Sequence, residues 1–179
     1  MSSASRLDHS TDHTTLPLED QVALWLGRMT LRIAALEAVT RVVLHRLLDI
    51  DEDEHEQILA LVAGLPFRKV CDALLAAAKN RRADDDVYQQ LRKLLRRVAG
   101  LEEKRNMLIH SFWVYSGLPN EMVREKRHIA SSGAFRMDSE AFRDVKALEQ
   151  LVHDIDAASS ELTTWYIREF LGVWQQRRD

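Results

Sequence analysis

The sequence predicts an all-α protein, an antiparallel four- to five-helix bundle with a long loop or small β-hairpin between its motif-bearing helix and its C-terminal helix. Three observations carry that expectation. Apolar residues recur at spacings of three and four over four long stretches, the period of a helix with one buried face. Pro and Gly fall between those stretches and rarely within them. The chain has 179 residues, 46% of them hydrophobic, enough for one domain with a substantial core.

Residues 1–16 are rich in Ser, Thr, Asp and His and are expected to form a disordered tail, leaving 17–179 as a single domain. His9 and His13 would share a face only on a helix, and nothing in the tail signals one. Pro17 suits a helix start, and Glu19 and Asp20 complement the positive end of the helix. Val22, Trp25, Met29, Ile33, Leu36, Thr40, Val43 and Leu47 then trace one long amphipathic helix. Ile58 to Val62 form a short helix stopped by Gly64. Pro66 restarts the chain, and Phe67, Val70, Cys71, Leu74 and Ala78 carry a third helix to about Asn80.

The loop 81–86 ends in three Asp that suit the next helix start. That helix begins near Val87 and runs through Leu91, Leu94, Leu95, Val98, Leu101, Met107 and Leu108 to Phe112. After Trp113 the helical period stops. Val114 to Asn120 is turn chemistry, and Met122 to Ile129 alternates loosely before Ser131-Ser132-Gly133. Asp138, Ser139 and Glu140 then read as the opening of a final helix whose stripe runs from Phe142 through Val145, Leu148, Val152, Ile155, Leu162 and Phe170 to about Trp174.

The net charge of −3 gives no global basicity, but Leu91 to Arg105 holds six basic residues against two acids, a local field of the right sign for phosphate. A solvated helix face gives the same count. One cysteine, Cys71, excludes an intramolecular disulfide and a multi-Cys metal site, and its apolar neighbours point to a buried thiol. No apolar run reaches the ~20 residues of a membrane span, and the polar N-terminus lacks a signal peptide, so a cytoplasmic location and no membrane partner are expected. Glu52 with His55 and Glu125 with His128 repeat the Glu-x-x-His element of carboxylate di-iron bundles. The two further inward-facing Glu are missing and both pairs lie among charges, so neither a metal nor another cofactor is expected.

One polar cluster interrupts the apolar pattern: Glu102-Glu103-Lys104-Arg105-Asn106-Met107-Leu108-Ile109-His110-Ser111-Phe112-Trp113. On a helix Asn106 and His110 share a face, while Arg105 lies about 140° round from His110. Arg105 offers a bidentate phosphate clamp, Asn106 an orienting amide and His110 an acid/base imidazole at a helix C-terminus. The bland account has Arg105 and Asn106 bonded to loop backbone and His110 as a satisfied histidine at the core edge. Lys104, Trp113, Tyr115 and Arg127 are candidate substrate-binding residues, the aromatics by stacking and the cations by pairing with negative charge. Arg124, Lys126 and His128 extend that basic set. A core aromatic or a solvated charge is the competing account of each.

The run Arg105-Asn106-Met107-Leu108-Ile109-His110 at the end of a bundle helix resembles the HEPN superfamily of small all-α proteins. Its hallmark is an Arg, four to six intervening residues and a His, with a polar residue after the Arg; Ser111 and Trp113 also look like those of many members. The resemblance covers the motif closely and the helices loosely, and does not extend to the tail or the stretch after Trp113. It implies a metal-independent endoribonuclease, working as a homodimer with two motif helices across a shared cleft. Such an enzyme cleaves RNA to 2′,3′-cyclic phosphate and 5′-OH ends. His110 would be the acid/base, Arg105 would stabilise phosphate charge, and Asn106 would orient them. Many members act as toxins or in phage defence beside an antitoxin or nucleotidyltransferase partner protein. Others are non-catalytic helical modules for protein interaction or RNA binding.

Overall fold

The structure, a computed structural model, describes residues 16–48, 55–80, 85–129 and 135–171. Residues 1–15 of the expected N-terminal tail, the acidic run containing Glu52 and the end of the last helix near Trp174 lie outside the described residues. In chain order the elements are α1 (Leu18–Leu48), α2 (His55–Ala63), α3 (Phe67–Asn80), α4 (Asp85–Ile109), β1 (Phe112–Tyr115), β2 (Met122–Ile129), β3 (Phe135–Phe142) and α5 (Lys146–Tyr166). A π-helical segment, Ile167–Leu171, prolongs α5.

The helices follow the sequence periodicity. α1 buries Val22, Met29, Ile33, Leu36, Thr40, Val43, Leu44 and Leu47, the stripe expected of it. The hydroxyl of Thr40 donates to the Leu36 carbonyl at 2.7 Å, which satisfies a polar group inside the core. α2 ends where Gly64 N–H bonds to the Ala60 carbonyl, and α3 buries Phe67, Val70, Cys71, Leu74, Ala77 and Ala78. α4 lies antiparallel to α5. Trp165 near the end of α5 donates its indole N–H to the Val87 carbonyl at the start of α4, and Arg97 pairs with Glu161 at 2.8 Å.

The chain is not all-α, which corrects the expectation. Residues after α4 form a three-stranded antiparallel sheet in the order β1-β2-β3, so the molecule is mixed α and β with helix dominant. The register pairs Trp113 with Arg124, Arg124 with Glu140, and Met122 with both Tyr115 and Phe142. Two sequence boundaries shift in consequence. α4 stops at Ile109, so Phe112 and Trp113 belong to β1. The run Asp138-Ser139-Glu140 lies in β3, so α5 opens at Lys146 and not at the apparent cap. The physical reason is that strand alternation was masked: β2 carries charges among its apolar positions, and seven of the eight β3 residues are exposed.

The sheet closes one end of the helical core. Met122, Phe142 and the half-buried Trp113 turn inward, with the Trp113 and Phe142 rings edge to face at 4.9 Å. Tyr115 at the end of β1 bonds to Glu19 in the first turn of α1. Halfway along α1, Arg32 meets Asp156 of α5 at 3.3 Å. Both helices therefore set out from the sheet end and run side by side in the same direction.

Candidate functional site

The polar cluster sits where α4 gives way to β1. A helix end leaves carbonyls without intrahelical donors, and here the following residues supply them. His110 N–H bonds to the Asn106 carbonyl at 3.1 Å and Ser111 N–H to that of Leu108 at 3.4 Å. The Ser111 hydroxyl donates to the Met107 carbonyl, and the Trp113 indole N–H donates to that of Leu108 at 3.1 Å. Ser111 is held in turn by Arg124 of β2, whose Nη1 donates to its hydroxyl at 3.2 Å. Arg124 is only 7% exposed and pairs with Glu140 of β3 through Nε at 3.1 Å and Nη2 at 2.9 Å.

On this braced end His110 is exposed. Asn106, one turn earlier on the same side, is half-buried. Arg105 lies in line with Val98, Leu101 and Leu108, which belong to the core, so it occupies a core-facing position in the last turns of the helix. Its Nη1 donates to Asn106 Oδ1 at 2.7 Å. Its Nε is buried and has no hydrogen-bond partner among the described residues. An unsatisfied buried donor costs about 1–3 kcal/mol. Within one chain no hydrogen bond joins Arg105 to His110, and the two point to different sides of α4.

The four residues expected to contact RNA have the following surroundings in the structure. Lys104 is exposed on the side facing α5, where it borders a depression of about 360 Å³ with Asp154 and Gln150. Trp113 is occupied by Leu108 and Phe142. Tyr115 is exposed, but its hydroxyl is tied to Glu19. Arg127 is exposed, with its guanidinium over the Phe112 ring at 4.7 Å and paired with Glu125 at 3.1 Å. Arg124, read from sequence as one of a basic set, is instead a buried brace.

Ser111, Arg124 and Glu140 brace the end of α4, a role that nothing in the local sequence assigns to Arg124 or Glu140. The one local signal was Ser111 beside the motif; the other two come from strands whose pairing is non-local. The second Glu-x-x-His pair does not form a helical face, since Glu125 lies on β2. Among the described residues no group of three or more His, Cys, Asp and Glu could hold a metal ion. Nor is any described helix long and apolar enough to cross a membrane.

Two ionisable groups outside the cluster are shifted. Burial, with Glu102 nearby, pushes the Cys71 thiol up to about 12. The Arg143 side chain, donating at 2.8 Å, holds the Glu121 carboxyl below the usual carboxylate range. A depression of about 610 Å³ lies between α4 and α5 and is bordered by Lys93, Arg97, Glu161, Trp165 and Arg168. Two of its cations are already engaged, Arg97 with Glu161 and Arg168 with Gln90, and it lies between the first half of α4 and the end of α5. Comparison with known proteins finds no match: no family model, no curated protein and no solved structure matches the chain.

Proposed function

We propose that the end of α4 is a ribonuclease site of the HEPN type, completed when two copies bring their motif faces together. The observation that carries this reading is the Arg105 guanidinium, hydrogen-bonded to Asn106 with its Nε donor unspent among the described residues, within two turns of an exposed His110. In the reaction, one imidazole accepts the proton of the ribose 2′-OH as the 2′-oxygen attacks the adjacent phosphorus. The bond from phosphorus to the 5′-oxygen breaks, and that oxygen takes a proton from the second copy's imidazole. The products are a 2′,3′-cyclic phosphate and a 5′-OH. Arg105 neutralises charge on the non-bridging oxygens as the transition state forms. Two copies are needed because Arg105 and His110 diverge by about 140° on one helix. Acting in the cytoplasm, such an enzyme would arrest growth when expressed without a restraining partner.

That same divergence favours a second reading, a non-catalytic helical module, if the chain never pairs through α4. Purified protein incubated with mixed RNAs in EDTA separates the two. We expect cleavage to cyclic phosphate ends, reduced at least about 10²-fold by His110→Ala and by Arg105→Ala. Absence of cleavage, or equal cleavage by the variants, would overturn the enzyme reading.

A further inference from the structure

We propose that β3 is a self-complementary edge through which two copies of this chain join into one six-stranded antiparallel sheet. β3 is hydrogen-bonded to β2 on one side only, and among the described residues no strand lies along its other edge. That edge presents a row of backbone N–H and C=O groups, the usual template for strand addition. Only Phe142 of the eight residues is buried, so the strand projects past the helices and can be reached. On its outer face Phe135 is 65% exposed and Met137 50% exposed, an apolar pair on an edge with nothing from the described chain over it.

The charges select the partner. Two copies related by a two-fold axis pair antiparallel with one residue opposite its own copy. Centring the axis on Arg136, Asp138 or Glu140 sets like charges face to face on the axis, and centring it on Ser139 sets Asp138 against Glu140. The Asp138 centre also brings Arg136 opposite Glu140, but Arg124 already holds that carboxylate. Centred on Met137, the axis places Arg136 opposite the second copy's Asp138, twice, with Met137 against Met137 on the outer face. Asp138 would then lie between the second copy's Arg136 and Lys126 of its own β2, which is its register partner. The strand is thus complementary to its own reversed copy in one central register. β1, which follows His110, forms the opposite edge of the sheet, so this contact leaves the end of α4 open and stands independently of the ribonuclease reading.

Light scattering with size-exclusion chromatography tests it on the full chain. We expect wild type to form an even-numbered assembly. Arg136→Asp alone sets Asp against Asp at both sites, and Asp138→Arg alone sets Arg against Arg. Each should halve the mass, with self-association at least about tenfold weaker. An equimolar mixture of the two variants restores both complementary pairs and should restore the mass, which a misfolded variant could not do. Met137→Lys, placing two cations on the axis, should also halve it without touching the Arg136–Asp138 pairs. A monomeric wild type would overturn the inference. So would an assembly whose mass all three variants retain; that result would leave a contact through α4 standing.

Discussion

Arg124 shows how a single side chain can decide the stability of a site it does not belong to. It carries its charge to a 7%-exposed position, joins β2 to β3 through Glu140, and reaches Ser111 at the end of α4. Glu140 is half exposed, so losing its partner frees a carboxylate that water can solvate, which limits the penalty. Arg124→Met is expected to cost about 1–3 kcal/mol in urea unfolding and to broaden the His110 ring signals in NMR spectra, because Ser111 loses its brace. An unchanged midpoint would show that the network contributes nothing. Cys71 makes a second residue-scale prediction. Its folded pKa is raised from 9.0 to about 12, so it should ignore a disulfide reagent at pH 8 until the protein unfolds. The sign for stability follows: its contribution is intact below about pH 9 and is lost as pH rises towards 12, where the unfolded chain ionises first. A native thiol that reacts at once would contradict this.

At the scale of elements, α4 tolerates a glycine mid-helix that nothing in its surroundings requires. A Cβ built on Gly100 meets no atom within 4 Å, so Gly100→Ala should raise stability by about 0.5–1 kcal/mol, read as a higher thermal midpoint. A fall would mean that α4 needs to flex there. Gly117 is different, since its φ of +85° suits the turn between β1 and β2 and disfavours any side chain. α1, α3 and α4 were legible because each has an apolar stripe of helical period bounded by Pro, Gly or acidic residues. β3 was not. Asp138-Ser139-Glu140 has the composition of a helix start, and Phe135 and Met137 face outward, so no buried alternation marked the strand. The same outward pair is what makes β3 a candidate edge for a second copy.

For the molecule as a whole, local sequence determined the bodies of the helices and most of the side chains they bury, but not where α4 ends or α5 begins. It also put an arginine, an amide and an imidazole within two turns of the end of α4. Such features follow from the 3.6-residue period and from capping, which act over a few residues. Tertiary structure alone decided the rest. It folded the stretch after α4 into a sheet and laid α1 and α5 side by side in the same direction. It also turned Arg124 from a surface cation into a buried brace, and left Arg105 half-buried with an unspent donor while His110 stayed exposed. Each depends on pairing between residues distant along the chain, and the energy of that pairing lies in the partner, not in the local pattern.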